Sequence, residues 1–402
     1  MTLWTKMKHW RGLENRHEEA GASSRSMAQD LLGGPPAWPS GQHSLVSYHQ
    51  RVTAAYRGNP IGYRAVRMIA EACASVPLCV VGKTLSDASI QNLQEMIDQP
   101  HPHLAGRDLI DRLITTLMVH GNAYLERVRG QERSWFYPVL PEHMQVSDTQ
   151  SGWPSAYTYR QNGRDVHFDQ TQDIQPILHL RCYDPGKMSD GTSPLEAASA
   201  AVMIHNAASA WTRALFENAA RPSGAFIYRG RDGQGQLTQE QYDRLRQELE
   251  DNFQGARNAG RPLLLEGGMD WHSLSLTPQD MDFIDAKHSA ARDIALALGV
   301  PPMLLGIPGD NTYSNYAEAN RSFWRATVLP LMDRVARAWG HFLAQEFKGV
   351  SLRCELDQLP ALSEERFRLW SRIGAANFMS DAEKREAVGL PERSCTAKED
   401  HL

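Results

Sequence analysis

The run IALALGVPPMLLGIPGDNTYSNYAEANRSFWRATVLPLMDRVARAWGHFLAQ constrains this chain most, because a polar loop interrupts a long helical stretch that then resumes around a proline. The first helix, 279–298, must stop at Gly299. Glycine suits the left-handed position that closes a helix, and Pro301 and Pro302 forbid continuation. The loop 307–315 carries a single charge, Asp310, among Gly, Pro, Asn, Thr, Tyr and Ser. The second helix, 316–347, holds Pro330 inside it. The missing amide and the ring's clash with the previous turn predict a kink there. A hydrogen-bonding, weakly charged loop beside a bent helix suits contact with something that slides past.

The chain has 402 residues, 42% hydrophobic and 22% charged, which is globular composition with room for more than one core. Its net charge of −5 argues against a broad basic face that grips nucleic acid. It is compatible with a surface past which a duplex moves. The five cysteines, Cys73, Cys79, Cys182, Cys354 and Cys395, are dispersed and read as reduced thiols. The N-terminus has no apolar signal-peptide core, and no apolar run is long enough for a transmembrane helix, so no membrane partner is expected.

Residues 1–45 read as a disordered arm rich in Gly, Pro and Ser, either docking on a partner or simply mobile. Residues 46–192 read as mixed α and β structure. Asn59-Pro60 opens a helix, 76–81 is a strand, 107–120 is an amphipathic helix ended by Gly121, and 123–129 is a strand. The segment SWFYPVLPEHMQV reads as an edge strand broken by prolines. Gln161-Asn162-Gly163 marks a hairpin between 157–160 and 165–168, and 174–181 is a further strand. Ser193 and Pro194 are suited to the cap and first position of a long Ala-rich helix ending near 218–222. A strand at 225–228, a polar helix at 239–253 and strands at 260–265 and 271–276 form a small αβ unit. Thr277-Pro278 caps the next helix. Near the C-terminus, Ser363 and Ser380 are the expected caps of two helices, the latter with Glu383 completing a capping box.

Motifs for chemistry are few. There is no GxxxxGK[ST] phosphate cradle and no GxSxG elbow. His17-Glu18-Glu19 lacks the second histidine of HExxH. His101-Pro102-His103 has no further ligands at metal spacing and reads as a surface turn. Cys73 and Cys79 read as buried small residues. The expectation is therefore no catalytic residue, no metal and no cofactor.

The segments SPLEAASAAV, FENAARPSGAFIY, LTQEQYDRLRQELEDNF, NAGRPLLLEGG, GVPPMLLG and TYSNYAEANRSFW, in this order, resemble the portal proteins of long-tailed bacteriophages, including those of gene transfer agents. The resemblance runs from about residue 59 to 391. It implies an α+β fold in an elongated protomer. In that order, 1–45 is the arm, 46–192 an α/β wing, 193–222 a first stem helix, 223–277 the clip and 278–300 a second stem helix. A tunnel loop at 301–315, a kinked tunnel helix with wing return at 316–359, short crown helices at 360–391 and a loose tail at 392–402 complete it. It further implies a ring, usually a dodecamer, at one capsid vertex of a virion or gene transfer agent particle assembled in the bacterial cytoplasm. Double-stranded DNA passes through the ring. The implied partners are the major capsid protein, the terminase large subunit and the head–tail adaptor.

The residues assigned to the DNA-facing loop are Asp310, Asn311, Thr312, Tyr313, Ser314 and Asn315. Their side chains offer exchangeable hydrogen bonds without a deep electrostatic well. Ser314 or Asn315 equally suits the cap of the following helix. Lys287 and Arg292 are candidates for lining a channel, or are solvated or intersubunit charges. The Ala-rich helix with Trp211 allows a neighbouring helix to approach, from its own chain or from another copy. The competing reading of the whole chain is a hydrolase or nucleic-acid enzyme whose site is built from dispersed residues.

Overall fold

The structure is a computed structural model, and it describes residues 47–82, 85–131, 133–148, 153–187, 189–217, 224–228, 239–240, 243–244, 247, 269–273, 283–309 and 313–389. The N-terminal arm, most of the 229–268 segment, the strand read at 260–265 and the Thr277-Pro278 cap lie outside these residues.

Helix α1 begins as one turn at Tyr48–Gln50, closed by a Ser47–Gln50 capping box, and continues as a π-helix through Arg51–Arg57. Helix α2 spans Pro60–Ser75, and Asn59 caps it by accepting from the amides of Ile61 and Gly62. Strand β1 (Leu78–Gly82) leads to α3 (Asp87–Asp98), a helix the sequence reading did not identify, and to α4 (Gly106–His120). Strands β2 (Asn122–Arg129), β3 (Ser134–Val139), β4 (Met144–Asp148), β5 (Pro154–Gln161), β6 (Arg164–Asp169) and β7 (Ile177–Arg181) follow. A short turn of helix, Pro194–Ala197, breaks at Ala198 before α5 (Ser199–Glu217). Strands β8 (Gly224–Tyr228) and β9 (Met269–Ser273) precede α6 (Phe283–Ala297). Helix α7 (Tyr313–Phe323), a π-helical segment (Trp324–Val328) and α8 (Leu329–Ala344) run on without a break. Strand β10 (Val350–Cys354), α9 (Ser363–Gly374) and α10 (Asp381–Val388) end the described chain.

The described strands form small antiparallel sheets with orders β1-β10, β3-β2-β7, β4-β5-β6 and β8-β9. SWFYPVLPEHMQV is therefore two strands in two sheets, split by a 3-10 turn at Pro141–His143. The first of them carries Pro138 on the edge position beside β2, where its missing amide costs no ladder bond. The β5–β6 hairpin closes on Gln161↔Arg164, with Asn162 and Gly163 at φ 52° and 74°, as a type I′ turn requires. Pairing of β1 with β10 (Leu78↔Cys354 through Gly82↔Val350) joins the two ends of the fold.

One core is shared by helices and strands distant in sequence. Leu109, Ile110, Leu113, Ile114 and Leu117 form the buried stripe of α4 at helical spacing, and Leu331, Met332, Val335, Ala336, Trp339, Phe342 and Leu343 form that of α8. Phe136 of β3 meets Trp339 edge-on, with ring centroids 5.7 Å apart. Arg127 is buried beside them. Its guanidinium lies 3.8 Å over the Phe342 ring, donates to the Phe342 carbonyl and sits 3.8 Å from Glu346. Tyr124, Met144, Tyr157 and Ile177 make a second small core where the β2 and β5 sheets meet.

The C-terminus of α4 is satisfied from several directions. Gly121, left-handed at φ 90°, returns its amide to Leu117. The Ser193 hydroxyl donates to the Met118 carbonyl at 2.7 Å, and Arg51 Nε donates to that of Val119 at 3.0 Å. A Cβ on Gly121 would stand 2.6 Å from the Ser193 amide nitrogen, and one on Gly191 would stand 2.2 Å from the Gly121 carbonyl, so neither position admits a side chain. Buried Asn122 completes the junction. Its Oδ1 accepts from the Gly191 amide at 2.7 Å and from His179 Nε2 at 2.9 Å, and its Nδ2 donates to His120 Nδ1 at 3.2 Å.

Both histidines are held neutral. Burial, then the nearby Arg51 and Lys187, lowers His120 to about 4. Burial, then Arg181 and His120, lowers His179 to about 3. The unfolded chain binds protons at these positions below pH ~6.5, whereas the folded chain takes them up only near the depressed values. Their neutral pairing thus contributes full stability above pH ~6.5 and loses it as pH falls toward 4. Urea titrations at pH 7.5, 6 and 5 are expected to give falling midpoints, and Asn122→Ala is expected to flatten part of that dependence while costing about 1–3 kcal/mol at pH 7.5.

Candidate nucleic-acid interface

The two helices that flank the inserted αβ segment pack on each other. Small residues on α5 (Ala201, Ala208) and α6 (Ala290) are buried and allow close approach. Trp211 stacks on Phe283, with centroids 4.4 Å apart and planes 30° from parallel. Trp211 therefore anchors the partner helix of its own chain. Buried His205 holds α5 to the start of α2, its Nδ1 lying 3.2 Å from Asn59 Nδ2, which also donates to Asn206 at 2.9 Å. Ile284, beside Phe283, is 63% exposed.

Lys287 and Arg292 occupy different settings on α6. Lys287 is half-buried and close enough to His205 that, after burial itself, its charge lowers that histidine's pKa, with His288 adding to the effect. Arg292 is exposed, and its Nη2 donates to the Pro308 carbonyl at 2.6 Å. It straps the loop back onto the helix that precedes it.

The loop is anchored along its first half. Gly299 is left-handed at φ 68°, as the closing residue of α6, and its carbonyl accepts from Thr327 Oγ1 at 2.5 Å. A 3-10 turn at Pro302–Leu305 ends on left-handed Gly306. Ile307 then buries itself against Ala291 and Ala295. Of the residues assigned to the loop, Asp310, Asn311 and Thr312 lie outside the described residues. Tyr313, Ser314 and Asn315 belong to the first turn of α7, so neither Ser314 nor Asn315 is its cap. Asn315 and Tyr316 are exposed at this end of the helix.

Pro330 is the second residue of α8, directly after the π-helical segment. There the Leu329 amide donates to the Trp324 carbonyl, five residues back. The wider π turn accommodates a residue that has no amide to give and a ring that needs space. The far end of α7 is held by charge: Arg321 reaches Glu364 at 3.4 Å and Glu365 at 3.2 Å, and Arg325 reaches Glu365 at 3.1 Å. The sequence reading found neither this cluster nor Thr327. Glu364 lies 43 positions from Arg321, a separation that leaves no periodic signal.

Among the described residues, no group of three or more His, Cys, Asp and Glu side chains is placed to hold a metal, and no helix is long and apolar enough to cross a membrane. Burial pushes the Cys79 and Cys354 thiols up to about 11, with Glu355 beside Cys79 adding to its shift.

The family model described as phage portal protein matches residues 60–389. A chain in the neck of a native gene transfer agent particle, reconstructed with C12 symmetry, is 44% identical. It covers 92% of this chain and 99% of its own length, with a TM-score of 0.67. An uncharacterised protein of Rickettsia bellii is 42% identical over 84% of this chain and 88% of its own length. A probable portal protein of Streptomyces phage phiC31 is 25% identical over 78% of this chain and 70% of its own.

Arg292→Ala removes the strap between α6 and the loop while leaving the Ile307 contact. Amide hydrogen exchange at Ile307 and Gly309 is expected to speed up by about tenfold, with exchange in α5 and α8 unchanged.

Proposed function

The chain belongs to the phage portal protein family, and from that premise we propose that its copies close into a ring through which double-stranded DNA is packaged into, and released from, a phage or gene transfer agent particle. The observation that carries the ring is the outer surface of the α5–α6 pair. Ile204, Ile284 and Leu296 remain 44%, 63% and 78% exposed there, although the inner faces of the same helices are packed. An extended helix pair with apolar residues on its outside is suited to a neighbour on each flank, and a head-to-tail contact that closes gives a cyclic ring. The C12 symmetry of the gene transfer agent neck supports twelve copies.

In this reading 46–192 is the wing, 193–222 and 278–300 are the stem helices, 223–277 is the clip, 301–315 is the tunnel loop, 316–359 is the tunnel helix with its return strand, and 360–391 is the crown. The loop segment around Asp310, Asn311 and Thr312, with Tyr313, Ser314 and Asn315 at the head of α7, faces the DNA. Its chemistry suits passage rather than grip. A ring of lysines at this height would build a cationic collar that slows a polyanion, whereas amide and hydroxyl groups exchange bonds with phosphates at little cost. Arg292 is occupied in strapping the loop, and Lys287 sits against His205, so both serve first as internal supports of the channel wall. The ring sits at one capsid vertex in contact with the major capsid protein, and the clip meets the terminase large subunit during packaging and the head–tail adaptor afterwards. No step in this role requires the chain itself to catalyse a reaction.

Mass photometry of the purified chain is expected to show a species of about twelve subunits, and a monomer at all concentrations would refute the ring. Deleting residues 310–314 is expected to leave that species intact and to lower the DNA content of assembled particles by at least about tenfold, read by nuclease-protected DNA per particle.

A further inference from the structure

A cavity of about 400 Å³ lies at the junction where α4 ends. Its walls come from the start of α1, the 3-10 turn at Pro141–His143, the chain at 187–191 and the last turn of α4. Arg51 and Glu196, which also line it, satisfy each other through their ion pair at 2.9 Å. Two other groups are not satisfied. Tyr124 lines the cavity and is only 2% exposed, yet its hydroxyl has no hydrogen-bond partner among the described residues. Buried polar groups are nearly always bonded, so this hydroxyl points to a partner that enters from outside the fold. His120 stands in the cavity wall with Nδ1 accepting from Asn122 Nδ2. The ring is neutral at pH 7, so its proton sits on Nε2, which likewise has no partner among the described residues.

Three charged side chains stand at the rim. Lys187, Glu142 and Asp190 line the cavity, are exposed and make no ion pair among the described residues. Their charges reach different walls: that of Lys187 acts on His120, that of Glu142 on Tyr48 and that of Asp190 on Tyr124. The volume is in the range of small-molecule sites. A simple anion would face two carboxylates, and a simple cation would leave Lys187 and His120 Nε2 without an acceptor. A ligand carrying both charges gives every one of these groups a partner.

We propose that the cavity binds a small zwitterion, an α-amino acid. Its carboxylate accepts from the Tyr124 hydroxyl, His120 Nε2 and Lys187 Nζ, and its ammonium donates to Glu142 and Asp190. The walls are held before the ligand arrives, by the Arg51–Glu196 pair and by the bonds of Asn122 to His120 and Gly191, so little ordering is needed on binding. A bound amino acid would join α1, the 3-10 turn, the 187–191 chain and the end of α4 at a single point. All of these residues belong to one chain, so the inference does not rest on the ring reading.

The test is isothermal titration calorimetry of the full chain with each of the standard α-amino acids, and with acetate and methylammonium, which carry one charge each. At least one amino acid is expected to bind with a Kd below about 1 mM, and acetate and methylammonium at least about tenfold more weakly. Tyr124→Phe, which removes only the hydroxyl, and Lys187→Ala, at an exposed position, are each expected to weaken the tightest amino acid by at least about tenfold, with unchanged circular dichroism. If Tyr124→Phe loses its helical signal, Lys187→Ala decides alone. The proposal is overturned if no amino acid binds below about 1 mM, if acetate or methylammonium binds as tightly as the best amino acid, or if a folded variant binds like the parent chain.

Discussion

The end of α4 is the point on which the arrangement of this protein turns. A helix that stops inside a protein leaves carbonyls that must find donors. Here the donors are the Gly121 amide for Leu117, the Ser193 hydroxyl for Met118 and Arg51 Nε for Val119. Each comes from a different part of the chain, so the start of α5 and the π-helical α1 are fixed by the same event that ends α4. Arg51 adds an ion pair to Glu196 at 2.9 Å, which secures the short turn leading into α5. Two glycines that meet backbone to backbone, Gly121 and Gly191, make the approach possible. The direction in which α5 leaves the core is set there.

The same logic of shared donors governs the proposed channel face. Gly299 ends α6 with a carbonyl that Thr327 takes up, and Arg292 takes up the carbonyl of Pro308. The helix before the loop and the segment after it are thereby joined across the loop rather than through it. Between the described residues Gly309 and Tyr313 the chain has four Cα–Cα steps, so it spans at most about 14 Å. The width of a channel built from such loops follows the placement of α6 and α7, and the loop residues supply only the chemistry at its edge.

Much of this was legible in the sequence where a local rule decides the outcome. Asn59-Pro60, Ser193-Pro194, Gly121, Gly299, the Asn162-Gly163 turn and the Ser380–Glu383 box each dictate a boundary through backbone geometry or a cap, and each stands where it was read. What was not legible depended on distant partners. Helix α3 has a buried face of only Leu93, Met96 and Ile97, too short to announce a period. Strand β10 is defined by pairing with β1 across the length of the fold. Ser363 resembles a cap but is the first residue of α9, with Leu362 at the cap position, and its hydroxyl donates to the Pro360 carbonyl. Ile284 has the spacing of a core residue and faces outward, which spacing within one helix cannot distinguish from burial against a second molecule. The order of several segments, rather than any single motif, carries the resemblance to the portal family.

A π turn holds one residue more than an α turn of the same height. At Trp324–Val328 that surplus separates two helices whose faces are each committed: α8 to the core, α7 to Glu364 and Glu365. Excising a single residue from the segment would let the backbone relax into an α turn of the same height, so α7 would keep its phase against the core. A deletion in α7 itself, between Arg321 and the segment, would instead turn Arg321 by about 100° and draw it in by about 1.5 Å, away from its acidic partners, while α8 stayed seated. The segment is where this helix holds an extra residue without disturbing the faces on either side.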